Sequence, residues 1–230
     1  MIARGKDLVR ELETRFVTTT VDLDVADEGL SILKPSNSDD LISEADYVRD
    51  ERLPYWADVW PSSIILARRM AKDRGNGRSL LELGCGLGVV SITAMRAGYQ
   101  VLASDYYEDA LLFARANAWR NVQREPDVRM IDWRALPSDL GRYDVILAAD
   151  VLYEMPYAEL VAELLAAALA PRGVGIIADP GRVGVERFLE ACSARGLTRV
   201  ERDVHPFVEG AIRQKITLFS IRRGARGISR

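Results

Sequence analysis

Three glycines in five positions, Gly84-Cys85-Gly86-Leu87-Gly88, follow the apolar run SLLEL and open the segment GVVSITAMRAG. A glycine-rich turn between a strand and a helix lets the backbone approach a ligand at the helix N-terminus. The spacing here is G-x-G-x-G, whereas a dinucleotide fingerprint needs glycine at position 89, where Val89 stands. Glu82 precedes the first glycine by two residues. A carboxylate there sits poorly beside a pyrophosphate and suits a cationic ligand. Two more acids close the next apolar runs: Asp105 after YQVLAS, and Asp132 after DVRMI, with Trp133 following. An aspartate at such a strand end can accept both hydroxyls of a ribose. An acid beside an aromatic can bond an adenine amino group and cover the ring face. Singly, each acid reads equally as a polar strand end; with the glycine turn they mark one rim of one sheet.

A ligand that unites a cationic centre, a ribose and an adenine is S-adenosylmethionine, with S-adenosylhomocysteine as the product of methyl loss. Its methionine part is expected over the glycine turn, its ribose on Asp105, and its adenine near Asp132 and Trp133, with Tyr106 flanking the adenosine. Tyr107 is expected to be exposed. The strand YDVILAAD then runs into Asp150-Val151-Leu152-Tyr153. Ligands of open α/β sheets bind beyond the carboxyl ends of the strands, so Asp150 is expected at the point of transfer, beside both cofactor and acceptor. Asp179 and Arg182, in ADPGR, follow the fifth strand near the same rim; they either contact substrate or stabilise a turn at Pro180-Gly181. His205 reads as structural, and Asn117 as packing on a helix surface.

The scaffold behind these residues is read from periodicity. Residues 3–14 form a short amphipathic helix, and FVTTTVDL (16–23) and LSILKP (30–35) pair as a hairpin. NSDDLISEADYVRDE is a loop or short helix, and a helix follows Pro61 through IILARRMAKD. From residue 79 onward, strands SLLELG, YQVLASD, DVRMID, YDVILAAD and GVGIIADP alternate with helices. LTRVERDV and RQKITLFSIRR close the sheet. Alternation of this kind predicts an α/β fold with a doubly wound, mostly parallel sheet.

Over roughly residues 56–222 the chain resembles class I methyltransferases, which use S-adenosylmethionine. The resemblance implies a seven-stranded Rossmann-like sheet of order 3-2-1-4-5-7-6, its last strand antiparallel. It divides the chain into an N-terminal extension (1–55), the methyltransferase domain (56–222) and a basic flexible tail (223–230). The D-x-x-Y pattern of Asp150 and Tyr153 resembles methyltransferase family 16, the seven-strand protein-lysine methyltransferases. PYWADVWP and ADPGR are similar to the branch acting on the β-subunit of electron-transfer flavoprotein; LGCGLG and Glu154 depart from that branch. The likeness implies an N-methyltransferase acting on a lysine of a protein. Trp60 then lies against the methionine part of the cofactor, Trp56 lines the substrate channel, Tyr153 shapes it, and Asp150 positions the amine. The alternative for both tryptophans is packing of the following helix onto the sheet. Alternatives for the whole are a small-molecule amine N-methyltransferase and a non-catalytic cofactor-binding module.

Composition agrees with a soluble enzyme: 230 residues, 48% hydrophobic and 28% charged, with a net charge of −3 and a pI near 5.4. The acidic balance argues against nucleic acid as a partner, the tail RRGARGISR being the exception. No apolar run approaches the ~20 residues of a membrane span, and the N-terminus lacks a signal-like stretch, so a cytoplasmic monomer is expected. Cys85 and Cys192 lack metal-ligand spacing and read as free thiols; no metal is expected.

Overall fold

The computed structural model describes residues 4–25, 29–41 and 53–224. Helix α1 (Gly5–Arg15) leads into a hairpin, β1 (Thr18–Leu23) and β2 (Leu30–Pro35). Then come α2 (Pro61–Ala71), β3 (Ser79–Leu83), α3 (Val89–Arg96), β4 (Gln100–Asp105), α4 (Glu108–Val122) and β5 (Asp127–Met130). The second half holds β6 (Tyr143–Ala149), α5 (Met155–Ala168), β7 (Leu169–Asp179), α6 (Val185–Ala194), β8 (Arg199–Glu209) and β9 (Ile212–Arg222). Most of the expected segment 37–51 and the tail residues 225–230 lie outside the described residues.

Seven strands form one sheet in the order β5-β4-β3-β6-β7-β9-β8, with β9 antiparallel to both neighbours. Renumbered within the sheet this is 3-2-1-4-5-7-6. The central strands read as nearly unbroken apolar runs because helices cover both faces. On one face Leu66 and Met70 of α2, Ile92 of α3 and Phe113 of α4 pack in a single core that also takes Leu8 and Leu12 of α1 and Ile32 of β2. On the other face, Val161 and Leu165 of α5 and Phe188 of α6 meet Leu81, Leu83 and Ile177. The chain order reverses between β3 and β6, and that switch point is where open α/β sheets hold their ligands.

Three boundaries and the exposure of one residue differ from the sequence expectation. β5 stops at Met130, so Asp132 lies in the turn beyond it, as befits a short edge strand paired on one side only. β7 starts at Leu169, directly where α5 ends. β8 runs on through His205, whose Nε2 lies 2.8 Å from Asp203 Oδ2. Tyr107 is half-buried and packs against the core instead of standing exposed.

Asn117 is the largest departure. It is fully buried, not on the helix surface. Its Oδ1 accepts the Leu33 N–H at 2.8 Å, and its Nδ2 donates to the carbonyls of Leu33 (2.9 Å) and Leu87 (3.0 Å). One helical turn on, Asn121 does the same for Ser31, accepting its N–H at 2.9 Å and donating to its carbonyl at 3.0 Å. Two side-chain amides at i and i+4 on α4 thus imitate a neighbouring strand along the second edge of β2, pairing with alternate residues Ser31 and Leu33. The Asn117 bond to Leu87 carries that support into the glycine turn.

Asn117→Ala strands the N–H and carbonyl of Leu33 and the carbonyl of Leu87. We expect a loss of at least about 3 kcal/mol in urea unfolding, since each of these three buried groups left unpaired costs about 1–3 kcal/mol.

Candidate active site

The turn after β3 is left-handed at each glycine, with φ of 62° at Gly84, 49° at Gly86 and 83° at Gly88. A Cβ at Gly86 would stand 3.0 Å from the Trp56 carbonyl oxygen, and one at Gly88 would stand 3.0 Å from Ala114. Glycine is therefore required by the close approach of the PYW segment on one side and of α4 on the other. The Gly86 N–H donates to Asp105 Oδ2 at 2.9 Å, while Asp105 Oδ1 accepts the Tyr107 N–H at 3.1 Å. This carboxylate joins the ends of β3 and β4 at the floor of a cleft of about 1100 Å³, counting its part open to solvent. Glu82, Asp105, Asp132 and Asp150 all line that cleft.

Glu82 is buried and accepts a hydrogen bond from the Ser91 hydroxyl of α3. Burial pushes its pKa up to about 8 against the Ser91 bonds, with Asp105 adding repulsion. At neutral pH this acid is mostly protonated, and a cation placed beside it would draw the proton off. Cys85 is buried between the acids, and burial first, then Asp105 and Glu82, holds its thiol protonated.

Asp132 is engaged by Arg134, a residue the sequence reading passed over. The carboxylate takes the Arg134 backbone N–H at 2.9 Å and its guanidinium through both oxygens, at 2.9 and 2.8 Å. The same guanidinium lies 5.5 Å over the Tyr106 ring. Trp133 turns inward: its ring is 3.8 Å from where a Gly84 Cβ would be, and it meets Tyr157 edge-on with centroids 5.6 Å apart.

From Tyr157 the aromatic contacts continue across the cleft. Tyr157 meets Tyr153 at 5.2 Å, Tyr153 meets Tyr55 at 5.2 Å, and Tyr55 meets Trp60 at 6.0 Å, each edge to face. Trp60 Nε1 donates to the Tyr55 carbonyl at 2.9 Å, which fixes the far end of the row. Tyr55 and Tyr157 were not singled out from sequence. Burial and the nearby Tyr157 and Glu154 push the Tyr153 hydroxyl far up, so it stays protonated. Trp56 diverges from Trp60 because Tyr55–Ala57 form a 3-10 turn and Asp58 is extended. Its ring packs on Phe113 at 5.6 Å and is only 9% exposed, so core packing takes most of it although it also borders the cleft.

Asp150 ends β6 in a left-handed conformation, φ 59°, with its N–H bonded to the Ala178 carbonyl at 2.9 Å. Its carboxylate is 4% exposed. Oδ1 accepts Arg182 Nε at 2.7 Å, and Oδ2 accepts the Ser62 hydroxyl at 3.2 Å from the first turn of α2. Of the two open readings for ADPGR, Asp179 takes the turn: it is fully buried, and its Oδ1 accepts the N–H groups of Gly181 and Arg182 at 2.7 and 2.6 Å. Asp179 is fully buried, whereas the Arg182 guanidinium lies between Asp150 and the Trp60 ring, 5.7 Å from its centroid. Among the described residues no cluster of potential ligands could hold a metal ion. No described helix is long and apolar enough to cross a membrane.

Residues 49–191 match the family profile described as lysine methyltransferase. The chain belongs to that family. The matched stretch contains the glycine turn, the acids Glu82, Asp105, Asp132 and Asp150, and the Arg182 turn. Relatives include the protein-lysine methyltransferase METTL21E of Mus musculus, 35% identical over 118 residues, 46% of this chain and 48% of that protein. Another is the electron transfer flavoprotein beta subunit lysine methyltransferase of Danio rerio, 30% identical over 137 residues, 58% of this chain and 52% of that protein. The chain spans about half the length of these curated relatives. Among solved structures, magnesium protoporphyrin IX methyltransferase (ChlM) from Synechocystis PCC 6803 with bound SAM shares the fold at a TM-score of 0.55 and 20% identity, over 79% of this chain and 86% of that one. Ribosomal protein L11 methylase from Lactobacillus delbrueckii subsp. bulgaricus does so at 0.54 and 19%, over 71% and 77%.

The raised pKa of Glu82 makes the ligand-free protein sensitive to alkali. A group with its folded pKa above its unfolded value stabilises fully below the unfolded value, here the ordinary glutamate value of 4.5, and loses that contribution as pH rises through about 8. Glu82→Gln removes the titration. The melting temperature of the variant should therefore gain on that of the unaltered protein from pH 5 to about pH 8 and level off above it; parallel curves between about pH 5 and pH 8 would contradict the burial of a titrating Glu82.

Proposed function

We propose that the protein is an S-adenosylmethionine-dependent N-methyltransferase that modifies a lysine side chain of a protein, acting as a monomer in the cytoplasm. The observation that carries this reading is one cleft, at the switch point of a lysine-methyltransferase-family sheet, lined by six acidic residues, Glu82, Asp105, Asp132 and Asp150 with Asp58 and Glu154, and walled by aromatic rings. The donor set suits the cofactor: acids for a cationic ligand, and a glycine turn pressed too closely for side chains. On this reading the Glu82 carboxylate faces the charged methionine end, with Gly84, Gly86 and Gly88 beneath it. Asp105, held by the N–H groups of Gly86 and Tyr107, is the carboxylate that meets the ribose hydroxyls on this reading. Tyr106, Asp132 and Trp133 enclose the adenine end, with Arg134 holding Asp132 in place.

S-adenosylmethionine supplies a methyl group activated by a positively charged sulfur. Transfer to nitrogen is a single in-line displacement, so the protein's task is placement; orientation of this kind is worth on the order of 7–11 kcal/mol. Asp150 directs the amine, and Tyr153, Tyr157, Tyr55 and Trp60 form the wall along which a lysine stem can lie. These rings also exclude water, which disfavours the charged ammonium and helps it lose its proton. A free lysine has a pKa of about 10.4, so that loss is a required step near neutrality.

The test is transfer of label from the tritiated cofactor into a cell lysate resolved by size. We expect label in protein, located on lysine by peptide mass spectrometry. Label confined to small metabolites would assign the enzyme to amine metabolism instead. Asp150→Ala should lower the rate by at least about a hundredfold, the scale of losing a group that acts directly at the transfer centre. Calorimetric affinity for S-adenosylhomocysteine should be nearly unchanged in that variant; its loss would contradict the division between Asp150 and the cofactor residues.

A further inference from the structure

An opposite charge within about 4–6 Å raises the pKa of an ammonium by roughly 1–3 units. A lone aspartate at the transfer point would therefore hold the acceptor in its protonated form, which has no lone pair to give. In this structure Asp150 is not alone. Its Oδ1 accepts Arg182 Nε at 2.7 Å, its side chain is 4% exposed, and that of Arg182 is 37% exposed.

We propose that Arg182 is a positioning residue that balances the charge of Asp150, so that the acceptor lysine is oriented by a polar but neutral ion pair and releases its proton to water near neutral pH. This rests on the methyl-transfer reading. The amine lone pair then forms the N–C bond as the C–S bond breaks, leaving a neutral thioether and a methylated ammonium. The cation is an arginine because its guanidinium stays charged throughout this pH range, so the balance does not itself titrate.

The surroundings are built for this. The Arg182 backbone is pinned by Asp179 Oδ1 at 2.6 Å, and its guanidinium is backed by the Trp60 ring. A second acid near the same guanidinium could upset the count of charges, but burial pushes the Asp179 carboxyl up toward its neutral form, opposed by its two N–H bonds. Among the described residues its Oδ2 has no partner. Ser62, from α2, adds a hydroxyl and no charge. Toward the cleft, the titratable groups of the described residues are the acids Asp58, Glu82, Asp105, Asp132 and Glu154, the thiol of Cys85, and the phenols of Tyr55, Tyr106, Tyr107, Tyr153 and Tyr157. The one base among the described residues lining the cleft is Arg134, which is bound to Asp132. Among the described residues, Arg182 is the cation in ion-pair contact with Asp150.

The test is the pH dependence of tritium transfer from S-adenosylmethionine to acid-precipitable protein in a cell extract, from pH 6.5 to 9.5, with the cofactor saturating. For Arg182→Gln, the rising limb of kcat should move up by about one pH unit, the low end of the usual effect of a neighbouring charge. At pH 7.5 its kcat should fall while the extract concentration giving half-maximal rate falls or stays level, because an unbalanced Asp150 binds ammonium better. Arg182→Lys should keep the limb near its original position. Ser62→Ala should lower the rate without moving the limb. An equal loss at every pH in Arg182→Gln, or a lysine variant no better than the glutamine one, would overturn this role and leave the methyl-transfer reading standing. Absence of transfer by the unaltered protein would overturn both.

Discussion

The hydrogen bond from the Gly86 N–H to Asp105 is the constraint on which the cleft depends. It holds a left-handed glycine turn at the end of β3 against the neighbouring end of β4, and so places two acids, Glu82 and Asp105, on one floor. Both sides of the turn are already in contact, Trp56 against Gly86 and Ala114 against Gly88. The turn therefore cannot relax without moving α4, and α4 is tied through Asn117 to the hairpin edge. The N-terminal hairpin thus acts on the cleft mechanically, without bordering it.

Charge in the cleft is handled by two different means. At the end of β3, burial keeps Glu82 largely protonated, and on the proposed reading a cationic ligand there draws off that proton and so creates its own counter-charge. Beyond β6, Asp150 carries an arginine partner, and no such exchange of protons is needed to neutralise it. A row of edge-to-face rings from Trp133 to Trp60 spans the two halves. Such rings give a lysine stem an apolar path while leaving the carboxylates at its end.

Much of this was legible locally. The glycine turn, the acids at strand ends and the alternation of strands with helices are short-range patterns, and the switch point follows from their order. What escaped depends on contacts distant in sequence. Asn117 meets Leu33 across 84 positions, and on a helix its polarity reads as exposure. Tyr55 and Tyr157 become part of one wall only when the 3-10 turn, the end of β6 and α5 converge. Asp132 reads as a strand residue from DVRMID, yet β5, paired on one edge alone, ends two positions earlier. Trp56 and Trp60 were visible as a pair, but the bend between them sends one ring to the core and the other to the rim. Asp150 and Arg182 were both visible; their ion pair, 32 positions apart, was not.

The central claim is that this acid-rimmed turn is a seat for a sulfonium donor with its adenosine laid across β3 and β4. A crystal structure with S-adenosylmethionine tests it most directly. The account predicts the donor's amino acid end over Gly84–Gly88 beside Glu82, its ribose hydroxyls on Asp105, and its methyl directed toward Asp150. Density for the donor elsewhere, or a ribose bonded to neither oxygen of Asp105, would contradict it.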